Sequence, residues 1–216
     1  MVLSDFGHLN LAANLSTSSL EHFVTIKEPV YPKLVHYFYS NLSFQNNHIR
    51  SRVQGKDINI FLEKFAHLLH FSYEGVDIYN VDLHDSECPD GESALTASLL
   101  LHSDDNPALL RNEEVKYNTL TAQILTKIVF YNLLPKLGDN SHARCSTPLL
   151  IYCILKGIRV NIPKLIVDYM ASEHLLIPNR HLPFGMLITH LLKQLKIDLS
   201  TEQSIELSVN INNTLL

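Results

Sequence analysis

The stretch TPLLIYCILKGIRVNIPKLIVDYM, residues 147–170, carries the two clearest helix signatures of this chain. Pro148 stands where the first helix begins and a missing N–H is tolerated, and Gly157 follows the last helical residue, as glycine commonly does. Asn161 precedes the second apolar segment, and asparagine is a preferred residue at helix starts. The pattern predicts two consecutive helices in this part of the chain.

Helical spacing of apolar residues continues on both sides of this stretch. Residues 117–134 are apolar almost all round, which predicts a central buried helix that ends before Pro135. Pro32 suits the first turn of a helix in PVYPKLVHYFYSNL, residues 29–42, and Leu182-Pro183 opens another in FGMLITHLLKQLKI, residues 184–197. Further helices are predicted from about Ser18 to Lys27, from about Ile60 to His70, at 92–101 (or a buried strand) and after Pro107.

A period of two replaces the helical period in LSFQNNHIRSRVQGKDINI, residues 42–60. From Ile49 to Val53, apolar or small side chains alternate with arginines, as they do in a half-buried strand. Gly55 permits a turn before the next alternating segment. The sequence therefore predicts a small β-hairpin or meander of two or three strands.

These patterns together predict a mainly α fold, a helical single domain with a small β-hairpin or meander near residues 42–60. Residues 1–26 are expected to form an N-terminal arm with a short helix, residues 27–202 the domain, and residues 203–216 a C-terminal tail or an edge strand. The core is expected on the helices within residues 117–134, 149–155, 165–170 and 186–195.

The composition excludes several classes of protein. Hydrophobic residues make up 46% and charged residues 18% of the 216 residues, so the chain has enough apolar surface to fold. No apolar run approaches the roughly 18 residues of a membrane span, so no membrane partner is expected. Three cysteines and the absence of a secretory leader favour an intracellular location, in nucleus or cytoplasm.

The negative charge is concentrated in residues 81–115, where nine acidic residues face one basic residue, Arg111. The segment is predicted to be a solvated loop region. The alternatives are a docking surface or a metal-attracting loop, in which His84 and Cys88 are N and S donors of the kind that zinc prefers. A hydrolase or nuclease built on the carboxylates from Asp82 to Glu92 is a further alternative.

Other histidines and cysteines give no recognisable catalytic or metal pattern. His67 and His70 stand three apart in HLLH, which lacks the spacing and the glutamate of a zinc protease helix. Cys153 is expected to be a buried apolar side chain, and a pair of Cys145 with His142 has nothing nearby to activate a thiolate. We therefore expect no enzyme activity, and we assign no catalytic residue, metal site, cofactor or small-molecule substrate.

Three basic residues are candidates for contact with nucleic acid. Arg50, Arg52 and Lys56 lie on the predicted meander, close in sequence to Tyr37 and Tyr39. Aromatic side chains beside basic ones can stack bases and hold phosphates. In the alternative interpretation, the three basic residues simply form the solvent-exposed face of a β-ribbon, and the tyrosines belong to the core. A second basic set surrounds a helix junction and comprises Lys156, Arg159 and Lys164.

The segments YPKLVHYFYSNLSF (31–44), IRSRVQGKDINI (49–60), residues 124–170 and LPFGMLITHLLKQLKIDLS (182–200) resemble a known family. The family is the "putative plant transposon protein domain", found in open reading frames of plant mobile elements. The resemblance covers about residues 27–202. Its motifs are core and helix-boundary residues, so they imply a fold rather than a reaction.

The resemblance implies a protein derived from a plant transposable element. We expect a non-catalytic protein-interaction or self-association module, with an exposed apolar patch on the helical half. The alternative is a weak nucleic-acid-binding module that acts through Arg50, Arg52 and Lys56. A further alternative is that the chain is a relic of a degraded element and still folds.

Overall fold

The computed structural model describes residues 20, 23, 26–79, 119–134, 146–172 and 182–206. Three strands lie close together near the N-terminal end of this part: β1 (Ser43–Gln45), β2 (His48–Val53) and β3 (Lys56–Phe61). The helices are α1 (Pro32–Ser40), α2 (Leu62–Leu68), α3 (Leu120–Asn132), α4 (Ser146–Lys156), α5 (Ile162–Ala171) and α6 (Gly185–Gln194).

The prediction of a mainly α fold is wrong, because the structure is mixed α/β. About 49% of the described residues are helical and about 16% form strand, in six helices and one antiparallel sheet. Some of the predicted helices are also shorter than the sequence suggested. The helix expected from Ile60 begins only at Leu62, because β3 continues through Phe61 and pairs Ile60 with Ile49.

The chain divides into two compact units. One comprises residues 1–21, 74–161 and 215–216, and the other comprises residues 22–73 and 162–214. We call the second of these the sheet unit and the first the α3–α4 unit. The domain boundaries predicted at residues 26 and 202 stay a prediction.

The sheet unit is built on two tight hairpins in the strand order β1-β2-β3. Asn46 and Asn47 join the first two strands, and Gln54 and Gly55 join the last two; all four residues have positive φ. A two-residue loop with positive φ at both positions is a type I′ turn, which matches the twist of the strands that it joins. The second turn fixes the register at Val53↔Lys56 and carries it to His48↔Phe61.

The inner face of this sheet forms part of the core. Ile49, Val53 and Ile58 are buried on it, and α1 packs against β2. Ser51 is buried on the same face, and its hydroxyl donates a hydrogen bond of 2.7 Å to the carbonyl oxygen of Phe38 in α1. This bond satisfies a polar group that would otherwise be costly inside the core.

The Leu-Pro-Phe-Gly segment joins α6 to the rest of the sheet unit. The buried Tyr39 hydroxyl donates to the carbonyl oxygen of Pro183 at 3.1 Å. Phe184 takes a left-handed backbone at the start of α6, and its ring meets Tyr169 edge-on at 5.8 Å between centroids. The motif that carried the family resemblance is therefore a packing junction between α1, α5 and α6.

Glu28 ties the segment before α1 to α6. Its carboxylate bonds His190 Nδ1 at 3.1 Å and accepts a hydrogen bond from Lys193 Nζ. Burial raises the pKa of Glu28, but the bonds from Lys193 and His190 outweigh burial, so this pKa lies below its ordinary value of 4.5. The ionised carboxylate therefore stabilises the sheet unit.

The α3–α4 unit contains a helix cap at the end of α4 and a short β-bridge. Helix α4 ends in a Schellman motif, with Ile158 N bonded to Cys153 O at 2.8 Å and Gly157 N bonded to Ile154 O at 3.3 Å. Cys153 is fully buried in α4, which confirms that prediction. Val76 and Val160 form a parallel bridge, beside which Glu74 and Arg159 make an ion pair.

Gly75 precedes this bridge and has φ +131, a conformation that other residues rarely adopt. A Cβ at this position would lie 2.5 Å from Val160 C and 2.7 Å from Asn161 N. Both atoms are backbone, so no side chain can turn away to make room. The bridge therefore requires glycine.

We predict that Glu28→Gln destabilises the protein by roughly 0.5–1 kcal/mol at about pH 7, a small value because solvent screens the exposed end of Lys193. The folded-state pKa is lowered, so the contribution is complete above the unfolded pKa of 4.5 and is lost as the pH falls through the folded-state pKa. Urea unfolding of wild type and variant at about pH 7 and about pH 3 measures this. Glu63→Gln, an exposed position in α2, is the control, and an equal difference at both pH values would contradict the assignment.

We predict that Gly75→Ala costs more stability than Gly55→Ala. Both positions have positive φ, so each alanine pays about 1–2 kcal/mol of backbone strain. Only position 75 adds a collision with backbone, because a Cβ at position 55 meets nothing within 4 Å. Thermal unfolding of the two variants compares them directly, and equal losses would show that the contact beside Val160 is not tight.

Candidate functional site

One face of the sheet points away from the core and carries exposed side chains. We call it the outer face. Its members alternate with the buried residues of β2 and pair across the hairpin as Arg50↔Asn59, Arg52↔Asp57 and His48↔Phe61. It consists of His48, Arg50, Arg52, Asp57, Asn59 and Phe61, together with Ser43 and Gln45 of β1, which lie opposite Arg50 and His48.

The structure brings Arg50 and Arg52 together on the outer face but puts Lys56 on the other one. Lys56 pairs with the buried Val53, so it lies at the edge of the inner face. Its ammonium group is 3.5 Å from the carbonyl oxygen of Lys196. The three residues that the sequence grouped as a nucleic-acid site therefore do not form one patch, and binding through them stays a prediction.

The register explains this separation. On one continuous strand, Arg52 and Lys56 would share a face, because they are four residues apart. The two-residue turn instead pairs Val53 with Lys56 and Arg52 with Asp57, so the outer face passes from even to odd residue numbers. The alternation of apolar and polar residues is visible in the sequence. The change from even to odd residue numbers on the outer face depends on the two-residue turn.

The two arginines differ in their surroundings. Arg52 Nε lies 3.5 Å from an Asp57 carboxylate oxygen, and both side chains are largely exposed. Such exposed ion pairs contribute little, so Arg52 can exchange Asp57 for another anion at small cost. Arg50 makes no ion pair within the part of the chain that the structure describes.

An aromatic pair lies at the far end of the outer face from the turn. Phe61 is 58% exposed, the most of any large hydrophobic side chain among the described residues. The His48 ring stacks against it, with 3.9 Å between centroids and 37° between planes. Sequence reasoning missed both residues, because it ended the ribbon at Ile60 and so assigned Phe61 to the helix expected from about Ile60 to His70.

Tyr37 and Tyr39, the aromatic residues that the sequence associated with the arginines, have different roles. Tyr39 is buried, and burial raises the pKa of its hydroxyl far above the ordinary value. Tyr37 is 37% exposed and lines an open groove of about 620 Å³ together with Arg52 and Glu202. Arg52 thus belongs both to this groove and to the outer face.

Ion pairs occupy Glu202 of the groove and two of the three residues of the second basic set, and the third of these residues faces an aromatic ring. Lys33 holds Glu202 at 2.9 Å, so the groove carboxylate is neutralised locally. Arg159 pairs with Glu74, Lys164 pairs with Asp168, and Lys156 lies 5.6 Å from the centre of the Tyr152 ring.

The histidine and carboxylate candidates give no site in the described residues. His67 and His70 are both exposed. Across residues 26–79, 119–134, 146–172 and 182–206, no three His, Cys, Asp or Glu side chains are grouped to hold a metal ion. The acidic segment 81–115, with His84 and Cys88, and the pair His142 and Cys145 lie outside the described residues.

The sequence of the chain matches a family model described as "Putative plant retrotransposon-related domain" over residues 17–198. The chain belongs to this family. The resemblance to a plant mobile-element family is thereby confirmed. Comparisons with curated proteins and with solved structures give no match.

The retrotransposon-related domain covers the three strands and the helices α1 to α6. The match includes the sheet with its outer face and the Leu-Pro-Phe-Gly junction. Among the described residues, none of the helices combines the length and the apolar composition that a membrane span requires.

Proposed function

We propose that this plant retrotransposon-related domain is a non-catalytic binding module that holds single-stranded nucleic acid on its outer face. The observation that carries the proposal is the position of Arg50 and Arg52 on the same exposed face as the Phe61–His48 pair. An exposed aromatic ring beside unburied cations combines the two contacts that single strands require, stacking and phosphate pairing.

The aromatic pair supplies the stacking contact. His48 covers one part of the Phe61 ring and helps to fix its orientation, while 58% of Phe61 remains accessible. A base that stacks on such a ring contributes about 1–3 kcal/mol. Duplexes hide their base faces inside the helix, so this contact favours single strands.

The arginines supply the phosphate contacts, and their number limits the affinity. From His48 to Arg52 the strand spans about 13 Å, which accommodates only a short segment of nucleic acid. Two phosphate contacts to a single strand give a salt slope of about −1.4 in log K against log salt. The net charge of −5 adds no general attraction, so binding is weak and only moderately sensitive to salt.

A protein-interaction or self-association role remains the second candidate function. The observation that favours it is the outer edge of β3, which pairs with no strand among the described residues and is a backbone feature independent of the arginines. The apolar patch expected on the helical half is limited, since Leu120 is the main large apolar side chain exposed on the described helices.

We predict that Arg50→Ala with Arg52→Ala weakens binding to labelled single-stranded DNA or RNA by about tenfold or more. Phe61→Ser should weaken it by a similar factor through lost stacking. Fluorescence anisotropy at about 50 and about 200 mM salt measures both affinity and salt slope. The matched control is Lys56→Ala, which removes a cation from the same hairpin but from the other face and should leave the affinity unchanged.

Three outcomes would contradict the proposal. The first is no binding to single strands at the lower salt concentration. The second is an equal loss of affinity on Lys56→Ala, which would indicate general electrostatic attraction to the protein rather than binding on the outer face. The third is tighter binding to a duplex than to single strands.

A further inference from the structure

β3 is an edge strand with one open side. The strand order is β1-β2-β3, and no other strand in the described part of the chain pairs with β3. At six residues it is twice as long as β1, the strand at the opposite edge. An open edge of this length presents unpaired backbone groups to any extended chain that approaches it.

The turn determines which backbone groups point outward. In a two-residue hairpin the closing pair, here Val53 and Lys56, exchanges both backbone hydrogen bonds, and hydrogen-bonded pairs then recur at every second residue. Lys56, Ile58 and Ile60 therefore bond to β2. Asp57 and Asn59 direct their N–H and C=O groups to the open side, and Phe61 directs its N–H there. The carbonyl of Phe61 stands at the N-cap of α2, where it accepts the first bond of that helix. All three are exposed, and apart from the Phe61 carbonyl none of these groups makes a backbone hydrogen bond on that side to the described residues.

We propose that a second copy of this chain adds its own β3 to this edge, antiparallel, about a two-fold axis at Asn59. In this register each Asn59 lies opposite the partner's Asn59, and each Asp57 lies opposite the partner's Phe61. The two Asn59 residues then exchange two hydrogen bonds, and each Phe61 N–H donates to the carbonyl oxygen of the other copy's Asp57. About four backbone hydrogen bonds therefore join the two strands. The two three-stranded sheets become one six-stranded sheet.

The sequence of β3 is self-complementary in this register. Its two charged residues, Lys56 and Asp57, both stand at its beginning, so antiparallel pairing places them at opposite ends of the joint. No like charges therefore lie opposite each other, an arrangement that would destabilise a sheet. On the inner side, Ile58 lies opposite the partner's Ile60, and Ile60 is only partly covered in the single chain.

Other registers of the two β3 strands either mismatch the two faces of the sheet or leave outward residues unpaired. A shift by one residue would set inner-face side chains opposite outer-face ones. A shift by two residues would leave one of the three outward residues of each strand unpaired. A second copy fits because the same three positions serve as both donor and acceptor surface, as a two-fold interface requires.

The test is sedimentation velocity of the full chain over a concentration series, without nucleic acid, for wild type, Asn59→Lys and Asn59→Glu. The wild type should form a weak dimer. Each variant alone places like charges opposite each other at the axis and should raise the dissociation constant by about tenfold or more. An equimolar mixture of the two variants should restore dimerisation, because lysine then faces glutamate.

The control pair is Gln45→Lys and Gln45→Glu, which makes the same charge changes at an exposed position of β1 and should leave the dimer unchanged. Thermal unfolding of each variant confirms that the sheet unit is intact. A wild type that stays monomeric throughout, variants that dimerise like wild type, or a mixture that behaves like its components would each overturn the proposal. Because this assay contains no nucleic acid, its failure leaves the proposed function standing, and the reverse also holds.

Discussion

The two-residue turn at Gln54 and Gly55 is the constraint on which the rest of the sheet unit depends. Its positive φ angles set Val53 opposite Lys56, and every other pair of the hairpin follows from that one. The register sends Ile49, Val53 and Ile58 into the core, and it sends Arg50 and Arg52 to solvent. A slip by one residue would reverse both faces at once, so the core and the candidate site are fixed by the same turn.

The inner face of the sheet connects this register to the helices. α1 lies against β2 through the Ser51 bond to Phe38, and Tyr39 of the same helix reaches the Pro183 carbonyl at the start of α6. Glu28 adds a second link to α6 through His190 and Lys193. The motifs that carry the family resemblance thus connect strands and helices. The side chains of the outer face make none of these connecting bonds and are available for binding.

Much of the local structure could be predicted from the sequence. Pro32 begins α1, Gly157 follows α4, and Asn161 precedes α5, because proline, glycine and asparagine act through backbone geometry that is local. The meander was also predicted, because alternation is a short-range pattern. What failed depended on pairing between segments: the face of Lys56, the extension of β3 to Phe61, and hence the balance between helix and strand. The aromatic pair of His48 and Phe61 could have been found only with the hairpin register in hand.

The most direct measurement is a nuclear magnetic resonance titration of the isotopically labelled chain with a short single-stranded oligonucleotide. If one face of the sheet binds the oligonucleotide, the residues whose signals shift follow the strand register and not the order of the sequence. We predict shifts of the signals of His48, Arg50, Arg52 and Phe61, with little change at Lys56 and at the Lys196 segment that Lys56 contacts. Shifts centred on Lys56 and Lys196, or no shifts at saturating oligonucleotide, would contradict this prediction.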